Sequence, residues 1–150
     1  MIKKKRNILV FDNNHDILKD IAQNVIIIGA NPIMCDSIYV ANDMWIEHYN
    51  NLSGLIIDLM MPVDGFSSSQ ISRSNDGHAT GWVWFIDNVI NGENGRPSLV
   101  KNTIFFSGYL TDLEQSVSHD ERMLLANVKK IDKAERKRWI MLQKYVKQLL

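Results

Sequence analysis

Asp12 and Asp58 each close an apolar run. The first is Ile8-Leu9-Val10-Phe11-Asp12, and the second is Leu55-Ile56-Ile57-Asp58, followed by Leu59-Met60-Met61-Pro62. A short apolar run bounded by turn-forming residues is the pattern of a buried strand. Two such strands in one parallel sheet bring two carboxylates into a single acidic pocket at its carboxyl edge, where open α/β folds hold their chemistry. Taken alone, each Asp has a plainer reading as a strand terminator or helix cap; the pairing sets them apart. The other reactive side chains form no second constellation. His15, His48, His78 and His119 are scattered without metal-ligand spacing. There is no Gly-rich phosphate loop. The single cysteine, Cys35, lies in the apolar run Pro32-Ile33-Met34-Cys35 and reads as a buried strand thiol.

The elements that must position these groups alternate along the chain. Asn7 to Phe11 reads as the first strand. Asp16 to Ile28 places Ile17, Leu18, Ile21, Val25 and Ile28 at helical spacing, and Gly29 ends that helix. Ile33 to Cys35 is the second strand and Val40 to Tyr49 the second helix. Leu55 to Asp58 is the third strand and Trp82 to Ile90 the third helix, with Trp82, Phe85, Ile86 and Val89 inward and Trp84 on the polar side. Thr103 to Phe106 is a fourth strand ending at Ser107-Gly108. Thr111 to Leu125 is a helix, Ala126 to Lys129 a fifth strand, and Lys133 to Leu150 the last helix, with Trp139, Leu142, Val146 and Leu149 on one face. Five strands alternating with five helices predict an α/β fold with a parallel sheet covered on both faces by right-handed crossovers. One stretch breaks the alternation: Ser67 to Thr80 is polar, Ser-rich and aperiodic, and reads as a long loop.

Bulk composition narrows the classes. A chain of 150 residues with 45% hydrophobic content suits one compact domain. The formal net charge is zero, so the molecule has no bulk attraction for polyanions. The basic groups gather at the ends: Lys3, Lys4, Lys5 and Arg6, then Lys129, Lys130, Lys133, Arg136, Lys137, Arg138, Lys144 and Lys147. This pattern is read first as solvated helix faces. A lone cysteine forms no internal disulfide, which points to a reducing, cytoplasmic setting. No apolar run is long enough for a membrane span, and the N-terminus lacks a signal-peptide pattern.

Phe11-Asp12-Asn13, the block from Leu55 to Pro62 with Asp64-Gly65, Phe105-Phe106-Ser107-Gly108 and the Lys129-Lys130 pair resemble, in this order and spacing, the response-regulator receiver domain of two-component signalling. The resemblance spans nearly the whole chain. It implies a doubly wound five-stranded parallel sheet of flavodoxin-like architecture, as one domain over residues 1–150 with an insertion near 66–80. It implies that Asp58 accepts a phosphoryl group from a sensor histidine kinase or a phosphotransfer protein. Mg²⁺ would be held by Asp12, Asn13, Asp58 and the backbone carbonyl of Met60. Ser107 would bond a phosphate oxygen, and Lys130, or its neighbour Lys129, would neutralise charge on the transferring group. The family usually has proline after that lysine, where this chain has Ile131. With no fused output domain, the signal would pass by protein contact, in the family often through the last two helices and the fifth strand.

Asn13 is the departure with consequences. Receivers usually carry a second acidic residue there. A neutral amide oxygen holds a hard cation less tightly, and one fewer carboxylate lowers repulsion in the empty pocket. Either more Mg²⁺ is required for phosphorylation, or the domain is a receiver-like binding module that acts without it. Met60 and Tyr109 occupy the family's two rim positions and carry no carboxylate or amide to orient an attacking water, which predicts a long-lived aspartyl phosphate. Two other classes compete less well. Haloacid-dehalogenase-like phosphatases need an Asp two positions after the first, where this chain has Asn14. Nucleic-acid binding would rest on the basic ends alone, without a recognition motif.

Overall fold

A computed structural model of the protein describes residues 4–150. Lys3, part of the N-terminal basic run, therefore lies outside the described residues. Strands β1 (Asn7–Phe11), β2 (Asn31–Cys35), β3 (Leu52–Ile57), β4 (Thr103–Ser107) and β5 (Lys129–Asp132) form one parallel sheet in the order β2-β1-β3-β4-β5. This is the doubly wound order, with the chain reversing direction of travel at β1.

Alternation along β1 sorts the core. Ile8 and Val10 face helices α1 (His15–Ile28) and α7 (Arg138–Leu149), joining Leu18, Ile21, Val25, Leu142 and Val146. Leu9 and Phe11 face the opposite layer, where α2 (Ile38–His48) supplies Trp45 and α4 (Thr80–Phe85) supplies Trp82, Trp84 and Phe85. Helix α1 starts where Asn14 accepts from the Asp16 and Ile17 amides. It ends at Gly29, whose φ of +99° suits the left-handed cap.

Several boundaries differ from the sequence expectation, each for a local reason. The Ser-rich stretch is not a bare loop. It holds α3 (Ser68–Arg73), started by a reciprocal capping box in which Ser67 and Gln70 satisfy each other's backbone amides. The third predicted helix is α4 running into a π-helical turn, Ile86–Ile90, and a 3₁₀ turn, Pro97–Asn102, leads into β4. The predicted Thr111–Leu125 helix is two, α5 (Leu110–Ser116) and α6 (His119–Asn127), because Ser118 and Glu121 form a second capping box. Since α6 consumes Ala126 and Asn127, β5 begins only at Lys129, not at Ala126. Ile131, fully buried, pairs with Phe106. Trp84 is not on an exposed polar face. It is wholly buried, edge-on to Phe11 and Trp45, with its Nε1 donating to Asn42 Oδ1 at 2.9 Å.

Candidate functional site

The carboxyl ends of β1 and β3 are adjacent because the Asp58 amide donates to the Phe11 carbonyl at 2.9 Å. That bond sets Asp12 and Asp58 side by side, 1% and 6% exposed. Two buried carboxylates need a counter-charge. The ammonium of Lys133 supplies it, at 2.8 Å from Asp12 Oδ2 and 3.0 Å from Asp58 Oδ2. Each carboxylate anchors its other oxygen on backbone: Asp12 Oδ1 accepts from the Asn14 amide and Asp58 Oδ1 from the Leu59 amide. Ser107, fully buried at the end of β4, accepts from the Tyr109 amide at 3.2 Å, and its hydroxyl lies near enough to Asp58 to pull that carboxyl down.

The charges shape one another. Burial, reinforced by Asp12, holds the Asp58 carboxyl above its ordinary value, against the opposing pull of Lys133 and Ser107. Burial pulls the Lys133 ammonium down, but Asp58 and Asp12 together leave it above its ordinary value. Cys35 takes no part: burial, with Asp36 adding, pushes its thiol up to about 12.

The lysine at the site is Lys133, and this corrects the sequence expectation. Lys129 turns away and donates to the Lys101 carbonyl at 2.8 Å. Lys130 pairs with Phe105 inside β5 and lines a surface hollow with Glu114, Gln115 and Arg122. The cause is the later start of β5: the residue just past the strand is Lys133, and its amide donates to the Ser107 carbonyl at 3.1 Å. No local pattern in the sequence pointed to Lys133. In β1 and β3 the functional side chain directly follows the last buried apolar residue; in β5 it comes two positions after Ile131.

The remaining expected residues gather around one opening. Asn13, Asp58, Met60 and Lys133 share a cavity of about 480 Å³ with Asp76 and Gly77 of the Ser-rich segment before α4. Asp76 is the residue that sequence reasoning missed; the Asn75-Asp76-Gly77 turn triplet was its only mark. A larger cavity, about 670 Å³, lies against Trp82, Val83, Leu113 and Val117. It touches neither Asp12 nor Asp58, so size does not locate the chemistry here.

The oxygen donors at the site, namely the Asp12 and Asp58 carboxylates, the Asn13 amide and the Met60 carbonyl, fit a hard divalent cation rather than a soft one. Among the described residues no three or more His, Cys, Asp or Glu side chains form a compact metal cluster. A Mg²⁺ ion held here would therefore keep several waters.

Comparison with known proteins addresses the fold. No family model matches the sequence, and no curated protein is significantly similar to it. Among solved structures, the crystal structure of a response regulator receiver domain protein from Clostridium thermocellum is similar, with a TM-score of 0.61 at 19% identity, covering 96% of this chain and 93% of that one. The fold is thus that of a receiver domain: a five-stranded, doubly wound parallel sheet, as expected. Among the described residues no helix is long and apolar enough to cross a membrane.

Proposed function

We propose that the chain is a phosphoacceptor signalling domain rather than an enzyme with an outside substrate. Asp58 takes a phosphoryl group from the phosphohistidine of a sensor kinase or phosphotransfer protein, and the domain signals by protein contact. The observation that carries this reading is the Asp12–Lys133–Asp58 bridge at the carboxyl edge of the sheet, with the Ser107 hydroxyl beside it. An Asp58 oxygen attacks phosphorus while the bond to the donor's imidazole nitrogen breaks, and the electron pair returns to that nitrogen. Lys133 is placed to follow the developing charge onto the transferred oxygens, and Ser107 to bond one of them. Mg²⁺, held by Asp12, Asn13, Asp58 and the Met60 carbonyl, would supply further positive charge. Asn13 supports a second reading, a receiver-like module that binds its partner unphosphorylated, because it withholds one of the negative charges that would hold the ion.

Intact mass after incubation with a small acyl phosphate, across a Mg²⁺ titration, separates the two. A phosphate-sized gain that is lost in Asp58→Ala, with a lower Mg²⁺ requirement in Asn13→Asp, is the expected result. No gain at any Mg²⁺ concentration, restored by Asn13→Asp, would establish the second reading instead.

A further inference from the structure

We propose that Asp76, carried in by the Ser-rich segment before α4, activates the water that removes the phosphoryl group from Asp58, and so sets how long the signal lasts. This rests on the phosphoacceptor reading above. The long-lived phosphate expected from Met60 and Tyr109 considers only those two rim positions. The fold brings a carboxylate to the same opening from a different part of the chain.

Three features place Asp76 for this role. It shares the cavity with Asp58 and Lys133. It is exposed, whereas Asp58 is buried, so it stands on the solvent side of the opening. Asp76 also makes no compact metal-binding cluster with Asp12 and Asp58. An in-line displacement needs its water opposite the Asp58–phosphorus bond, toward solvent, and a base beyond that water. An acidic residue on the exposed wall of the same cavity can meet that requirement.

The turn that carries Asp76 is held rather than loose. Asn75 and Asp76 both have left-handed backbones, φ +51° and +54°. Side chains other than Gly adopt this conformation at a cost that the surroundings must offset. The offset comes from the Met61 amide donating to the Gly77 carbonyl at 3.2 Å and from the Ser74 hydroxyl accepting from the Gly77 amide at 3.1 Å. The Thr80 hydroxyl adds a bond to the Met61 carbonyl at 2.7 Å. His78 meets the Tyr109 ring edge-on, with centroids 6.1 Å apart, which ties the turn to the loop after Ser107.

In the step, the water oxygen bonds to phosphorus as the bond from phosphorus to the Asp58 oxygen breaks. The electron pair stays on Asp58, the water proton passes to Asp76 and then to solvent, and inorganic phosphate leaves.

The test loads the full chain with acetyl phosphate and Mg²⁺, removes the donor, and follows loss of the phosphate mass. Asp76→Asn and Asp76→Gly both tolerate a left-handed backbone, and thermal unfolding verifies their fold. Decay slowed by about tenfold or more in both variants is expected for loss of a base. In ¹⁸O-water the wild type should place the heavy oxygen in the phosphate and not in Asp58. Decay that is unchanged or faster in either variant overturns the proposal while leaving the phosphoacceptor reading intact. Absence of any mass gain in the wild type overturns both.

Discussion

Replacing Lys133 by Met keeps most of the side chain's bulk and deletes its charge. Asp12 and Asp58, both buried, would then face each other without their shared ammonium, whose present contacts are 2.8 and 3.0 Å. Removing one member of a fully buried ion pair costs about 3–5 kcal/mol. Lys133 is 23% exposed, so water partly screens the loss, and about 2–4 kcal/mol is the appropriate scale. For a chain of this length that is a fall in Tm of about 6–12 °C. The sign with pH follows from Asp58. Its folded carboxyl already lies above the ordinary value, and in the variant the opposing pull of Lys133 is gone, leaving burial and Asp12 to raise it further. A carboxyl raised by folding contributes stability that is fully present below its unfolded value near 3.8 and is lost as pH rises through the folded one. The deficit relative to wild type should therefore be largest near pH 8 and shrink toward pH 4. Adding Asp12→Asn to Lys133→Met should recover most of it. Thermal unfolding of the three proteins between these pH values is the assay. A deficit equal at every pH, or one untouched by Asp12→Asn, would show that Lys133 acts through packing and would refute the electrostatic account.

The same logic makes Asp58 a cost to the fold. Asp58→Asn removes a charge that burial and Asp12 both disfavour, so Tm should rise above wild type at pH 7 to 8. The gain should fade as pH falls toward 4, and a lower Tm at neutral pH would contradict it. Gly81→Ala should damage the site from behind. A Cβ at Gly81 would overlap the Asp58 carbonyl oxygen, and the Gly81 amide donates to the Leu59 carbonyl at 3.0 Å, so α4 must move off the end of β3. Overpacking of this kind costs about 1–3 kcal/mol. Chemical denaturation should show that loss together with a reduced extent of Asp58 phosphorylation.

Much of this was legible in the linear order of residues. The apolar runs of β1, β3 and β4, short and bounded by turn-forming residues, read as buried strands, and the 3.6-residue spacing from Ile17 to Ile28 reads as a helix with one inward face. Trp84 was harder. Its helical position put it on the polar side, yet its indole is buried because Asn42, on a different helix, accepts its N–H. Periodicity on one element carries no information about a partner on another. The two capping boxes were present in the letters, at Ser67–Gln70 and Ser118–Glu121, but a polar signature does not fix an element as an apolar repeat does.

By itself the sequence determined the alternating α/β order, the two aspartates at strand ends and Ser107 at a third. These depend on local hydrophobic patterning, which each segment carries with it. Only the tertiary structure decided which lysine meets the aspartates and that Asp76 shares their cavity. Lys133 reaches Asp58 across 75 residues, and Asp76 arrives on a turn pinned to Met61. Both placements depend on strand register and on contacts between distant segments, and such contacts form only when the whole sheet is assembled.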